Sequence, residues 1–267
     1  MIPCRHANYI CMLITVSILL GACQSPPPIT QQPAPVSKNI PTDLLSIPDA
    51  IPRFEPLSKL GNPAFYDALG ERYFVKASAA GYVERGVASW YGPGFHQVAT
   101  SNGEAYDMYA MTAAHKTLPL PCYVQVTNLS NGKQVVLRVN DRGPFKAGRI
   151  IDLSYTAAAK LDMLRDGTAL VEVRAITPGE TADNSSMNTV RPLYVQAGSF
   201  ASAGNADKLV TQLQSNGYPQ AKVHSELVNG RSLYRVWIGP IASATLFDQV
   251  VAQLKTLGIA DARLASD

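Results

Sequence analysis

Three side chains have the type and setting for acid–base chemistry: Asp141, Glu104 and His115. Asp141 stands in "VNDRGPF", directly behind the apolar run "QVVLRV", and Gly143 and Pro144 turn the chain at once. A carboxyl at the end of a strand, with a turn behind it, is held in one direction as a mid-loop acid is not. Such a group works as a proton donor or acceptor when its surroundings keep its pKa near the task. Glu104, in "TSNGEAYDM", also follows an Asn-Gly turn that projects its side chain. His115, in "MTAAHKTLP", is a polar partner for either acid, and Asn140 and Arg142 can bond neighbours or ligand oxygens. On spacing alone, the same residues also read as solvated turn acids and a satisfied structural histidine, the commoner situation. The four histidines, at 6, 96, 115 and 224, are scattered, so no metal cluster is expected, and nothing calls for a cofactor. Tyr91 suits a sugar-stacking face as well as a core, and Trp90 reads as core.

The elements that must place these residues are short strands with turns between them. "GVASWYGPGF" reads as a strand and a Gly-Pro turn. Cys122, Val124 and Val126 alternate with Tyr123, Gln125 and Thr127, the period of a half-buried strand. Asn131-Gly132 marks a hairpin, and residues 134–139 return antiparallel. Ser154 is placed to cap a helix over "YTAAAKLDML". Many short strands over residues 75–176 predict a small β-barrel. Residues 193–267 predict a second, α+β domain. "LYVQAGSF" and "LYRVWIGP" each lead into an amphipathic helix stopped by Gly217 or Gly258, with a hairpin at Asn229-Gly230 between the halves. The order is βαββαβ, one sheet face under helices and the other free to bind. On that sheet Tyr194 and Gln196 share a face, as do Arg235 and Trp237, whereas Tyr234 and Arg235 cannot.

The flanking segments bear on location. Residues 9–20 are mostly apolar, shorter than the about 20 needed to span a membrane, and end in Leu20-Gly21-Ala22-Cys23. This resembles a bacterial lipobox. It implies a signal peptide over 1–22 and lipid on Cys23, and Gln24 behind it implies the outer membrane, facing the periplasm. Residues 23–74 are tether and lead-in, the first part rich in Pro and Gln ("QSPPPITQQPAPVSKNIP") and unable to build a core. A second polar stretch, 177–192, is a linker. With Cys4 and Cys11 in the signal and Cys23 lipidated, Cys122 stands alone and reads as a small buried hydrophobe. The net charge of +3 is too weak and dispersed to point to nucleic acid.

"GVASWYGPGF", "TSNGEAYDMYAMTAAHKTLP", "VTNLSNG", "RVNDRGPF" and "GRIIDLS", in this order, resemble the double-psi β-barrel of the rare lipoprotein A family. "YVQAGSF…YRVWIGP" is similar to a SPOR domain. The resemblance covers nearly the whole chain and carries over Glu104, Asp141 and His115 as the motif residues; Cys122 stands where the family often has Thr. It implies an endolytic lytic transglycosylase that cuts MurNAc–GlcNAc bonds of peptidoglycan and leaves a 1,6-anhydro sugar. Asp141 is then the expected acid–base group, Glu104 its electrostatic support, and His115 and Asn140 are expected to bind and orient. Arg142 and Asp152 are expected to pair structurally. The SPOR segment implies binding to glycan strands without stem peptides, enrichment at the division septum and contact with division proteins, with Tyr194, Gln196, Tyr234 and Arg235 as candidate contacts. The other reading is a non-catalytic, expansin-like lipoprotein that binds and loosens septal wall.

Overall fold

The computed structural model describes residues 43–179 and 192–266. The signal peptide, Cys23, the Pro-rich part of the tether and most of the linker lie outside the described residues. Two antiparallel strands come first, β1 (Phe65–Ala68) and β2 (Glu71–Phe74). Then come β3 (Val83–Trp90), β4 (Thr112–His115), β5 (Cys122–Asn128), β6 (Gln134–Asp141), β7 (Arg149–Leu153), helix α1 (Tyr155–Lys160) and β8 (Ala169–Ile176).

Strands β3 to β8 close into a barrel in the order β3-β7-β4-β6-β5-β8. The β3–β7 and β4–β6 pairs are parallel and the other four antiparallel, the double-psi arrangement expected. Val124, Val126, Val135, Leu137, Val139, Ile151, Leu153, Val171 and Val173 fill the interior. They alternate along their strands, as closure of so small a barrel requires. Ser154 caps α1, its Oγ accepting from the Ala157 N–H at 3.3 Å. The helix is shorter than its sequence suggests. Asp162 takes a φ of 59°, outside the right-handed region, and "LDML" becomes a turn that still buries Leu161, Met163 and Leu164.

The lead-in differs from a free tether. From residue 43 to 64 the chain lies along the barrel. The Ala50 N–H donates to the Val136 carbonyl at 3.0 Å, and Ser58 N–H to that of Leu120 at 2.9 Å. Asp49 accepts from the Val136 N–H at 2.8 Å and pairs with Lys160. The strap also covers part of β5: Tyr123 is buried, and its hydroxyl donates to Glu55. Sequence alternation alone could not show this, because the covering chain is some seventy residues upstream.

The second domain has β9 (Leu193–Phe200), α2 (Ala203–Ser215), β10 (Lys222–Val228), β11 (Arg231–Ile238), α3 (Ala244–Thr256) and β12 (Arg263–Ser266). The sheet order is β10-β11-β9-β12, all antiparallel. Leu193, Val195, Ala197, Val236 and Ile238 form one core with Ala206, Leu213, Phe247, Val250 and Leu254 of the helices. Val87 and Leu170 of the barrel join that core. Beside them Arg149, 2% exposed, makes a bidentate pair with Asp248 at 2.7 and 2.6 Å.

Candidate active site

The end of β6 carries Asn140 and Asp141, and the turn at 101–104 folds over it. Asp141 Oδ1 accepts from the Ser101 N–H (2.8 Å), the Ser101 hydroxyl (2.6 Å) and the Arg142 N–H (2.7 Å). The turn is set by its own polar residues: Thr100 Oγ1 donates to Asn102 Oδ1, which also accepts from the Glu104 N–H. Glu104 Oε2 then accepts from Arg138 Nη1 at 2.8 Å and Asn140 Nδ2 at 2.9 Å. Asp141 and Glu104 are therefore held by one four-residue turn. Partial burial pushes the Glu104 pKa up, but the bonds from Arg138 and Asn140 outweigh it and leave the carboxyl below its ordinary value. Glu104 remains 43% exposed in its side chain, at the rim.

Strand β4 brings a further acid in. Ala114 pairs with Asp141 of β6 on one side and with Asp152 of β7 on the other. Two strand spacings separate the aspartate backbones, about 10 Å. Asp152, expected only to pair structurally, is that acid. Burial raises its pKa from 3.8 to about 6. The Ser89 hydroxyl that donates to it and the Arg149 and Lys116 charges only partly offset this, and Asp141 adds to the rise. The signal was present in "GRIIDLS" but was read as an ion pair with Arg142. Arg142 does not bond Asp152. Arg142 sends its guanidinium elsewhere, to the carbonyls of Gly61 (2.9 and 2.7 Å), His115 (3.1 Å) and Leu118 (2.5 Å) and to Asn62 Oδ1 (3.2 Å). A Cβ on Gly143 would stand 3.8 Å from Asp152 Oδ2, so the turn behind Asp141 runs beside Asp152.

His115 is not beside these acids in the way expected. It is 3% exposed. Its Nδ1 accepts from the Thr117 and Leu118 N–H groups at 3.1 and 3.0 Å, which places the proton on Nε2, 2.8 Å from the Tyr82 hydroxyl. Burial, with the Arg142, Lys116 and Lys76 charges, lowers its pKa to about 3. It is a neutral post for the loop after β4. Tyr91 does come to the site. Burial, then the nearby Asp141 and Asp152 charges, pushes its pKa well above 10, and its buried hydroxyl has no protein partner. Its ring packs, tilted, against Tyr106 at 4.7 Å and stays partly exposed. Trp90 packs edge-on to Tyr155 at 5.5 Å beside the barrel core. Cys122 has its pKa pushed to about 12 by burial, an unreactive thiol.

In the second domain, Tyr194, Gln196, Trp237 and Arg235 all turn away from the helices, because a bulge at Val236/Trp237 sets Trp237 opposite Gln196. Tyr234 packs with the helix-side core instead. Trp237 is sandwiched between Tyr194 (4.9 Å) and His224 (4.0 Å). Arg235 pairs with Glu226 at 2.8 Å. Gln196, with its amide turned so that both ends are satisfied, accepts from Arg263 at 3.0 and 3.2 Å. Among the described residues no group of histidines, cysteines and acids is arranged to hold a metal ion.

A family profile described as "Lytic transglycolase" matches residues 83–173, and one described as "SPOR domain" matches 190–264. The chain is 38% identical to "Endolytic peptidoglycan transglycosylase RlpA" of Vibrio cholerae, over 94% of each chain. It belongs to the RlpA family. The protein of that name from Pseudomonas aeruginosa is 37% identical over 88% of this chain and 89% of its own. The one from Neisseria meningitidis serogroup A is 42% identical over 78% and 85%. The chain is thus an enzyme of the lytic transglycosylase class, built as an RlpA-type barrel followed by a SPOR domain.

Proposed function

We propose that this chain cleaves MurNAc–GlcNAc bonds inside glycan strands that lack stem peptides and leaves 1,6-anhydro ends. The observation that carries the reading is the pair Asp141 and Asp152 flanking Ala114, one loaded with hydrogen-bond donors and the other with its pKa raised to about 6. Asp152, rather than Asp141, is the proton carrier. Its carboxyl gives a proton to the leaving GlcNAc oxygen as the bond to the MurNAc C1 breaks and positive charge builds there. The MurNAc C6 hydroxyl then attacks C1, and its proton goes to the Asp152 carboxylate, which restores the acid. The substrate supplies the nucleophile, so no water or second carboxylate attacks, unlike an ordinary glycosidase. Such general acid–base help is worth on the order of 100- to 10,000-fold. Asp141, fixed by Ser101 and Arg142, and Glu104, held ionised at the rim, supply negative charge beside the developing cation; Asn140 orients Glu104. His115 acts through the loop it holds.

The SPOR face bearing Arg235 is read as the glycan-binding face that enriches the protein at the septum, with Tyr194 and Gln196, both buried, supporting it from beneath and lipid on Cys23 anchoring the protein at the periplasmic side of the outer membrane. The test uses the soluble form without lipid on amidase-treated sacculi, with anhydro-muropeptides read by mass spectrometry. Wild type should release them, and Asp152→Asn should release none while still sedimenting with sacculi. Release by Asp152→Asn at the wild-type rate would remove the proton assignment. Binding without release by wild type would leave the wall-loosening binder.

A further inference from the structure

The matched barrel profile begins at residue 83, yet two arginines of the site send their guanidinium groups upstream of it. Arg142 reaches Gly61 and Asn62. Arg138 divides its donors: Nη1 goes to Glu104, while Nε and Nη2 go to Glu55 at 3.0 and 2.9 Å in a fork. We propose that Glu55, in the strap before the barrel, is a positioning residue that holds Arg138 and through it sets the place and charge of Glu104. The proposal rests on the reading of Glu104 as a site group.

Geometry carries it. Glu55 and Arg138 are largely shielded, with side chains 17% and 18% exposed. A bidentate fork fixes the plane of a guanidinium, as a point contact would not. With Nε and Nη2 occupied by Glu55, Nη1 is aimed at Glu104. Tyr123 of β5 donates its hydroxyl to the same Glu55 carboxyl, and Arg53 stands 3.3 Å from it on the exposed side. Asn140 completes the groups that face Glu104 from β6. The strap has little freedom to shift. A Cβ on Gly61, at a φ of +80°, would lie 2.8 Å from the carbonyl oxygen of Ser101, the residue that holds Asp141. The strap is pinned at Asp49, Glu55, Ser58 and Asn62, so the segment leading in from the lipid end is part of the site's outer wall.

The experiment follows the Glu104 carboxyl by carbon-13 NMR titration in the full processed chain without lipid, together with the acid limb of cleavage. Removing the Glu55 charge alone would make Glu104 easier to ionise. A rise in its midpoint therefore reports that Arg138 has left its place. Glu55→Gln should raise the Glu104 midpoint and move the acid limb up by roughly half a pH unit or more, Glu55→Asp should restore much of it, and Arg138→Met should raise it furthest. Tyr123→Phe, which loosens Glu55 without changing charge, should give a smaller rise, and it serves should Glu55→Gln fold poorly. A Glu104 midpoint that stays or falls in both Glu55→Gln and Tyr123→Phe, while Arg138→Met raises it, would overturn the proposal. The titration reads out without any cleavage, so failure of the catalytic reading leaves its own, separate mark.

Discussion

Replacing Ser89 by alanine should move the alkaline limb of cleavage to higher pH. Asp152 is the group being tuned. Its pKa rises from 3.8 to about 6. Two units correspond to roughly 3 kcal/mol in favour of the protonated form. The Ser89 hydroxyl opposes that rise, because it donates to the ionised carboxylate. A hydrogen bond to a charged group is worth about 1.5–3 kcal/mol net, against about 0.5–1.5 for one between neutral groups, and the difference of about 1 kcal/mol is roughly 0.7 pH unit. Release of anhydro-muropeptides measured from pH 5 to 8 should show wild type losing activity above about pH 6. Ser89→Ala should hold activity to a limb higher by that interval. A second readout is stability. The folded state favours the Asp152 proton, so the stability due to it is complete below the ordinary value of 3.8 and is lost as pH rises through about 6. Asp152→Asn should therefore gain on wild type between pH 4 and 8, on the order of 1–3 kcal/mol by urea denaturation. A limb unmoved or moved to lower pH in Ser89→Ala, with no pH-dependent gain in Asp152→Asn, would refute Asp152 as the buried acid.

His115, with both ring nitrogens bound and its pKa lowered to about 3, should show no titration from pH 5 to 8 in a nitrogen-15 NMR series. A midpoint near 6.5 would remove its neutral, load-carrying role in the loop. His115→Leu should cost about 2–3 kcal/mol, because the Thr117 and Leu118 N–H groups lose their acceptor. Gly61→Ala should cost more than about 2 kcal/mol through left-handed strain and the clash with the Ser101 carbonyl, read as a lowered Tm; an unchanged Tm would show the strap free to shift. Asp248→Ala strands the buried Arg149 and should cost about 3 kcal/mol, and Arg149→Met together with Asp248→Leu should recover most of it.

The sequence by itself determined the two folded parts, their strand and helix order, the hairpins at Asn131-Gly132 and Asn229-Gly230 and the cap at Ser154. These follow from local causes: alternation, turn residues and motif order over a few positions. The tertiary structure alone set Asp152 where burial raises its pKa. Asp152 lies eleven residues beyond Asp141, and only closure of the barrel sets it across Ala114 and partly out of water. It also decided that His115 is sealed and neutral, that Arg142 serves the strap and not Asp152, and that Tyr194, Gln196 and Arg235 share a sheet face. Each of these depends on burial or on a partner far along the chain. A pKa is set by the solvent and charges that surround a group once folded, and no local pattern of residues encodes that.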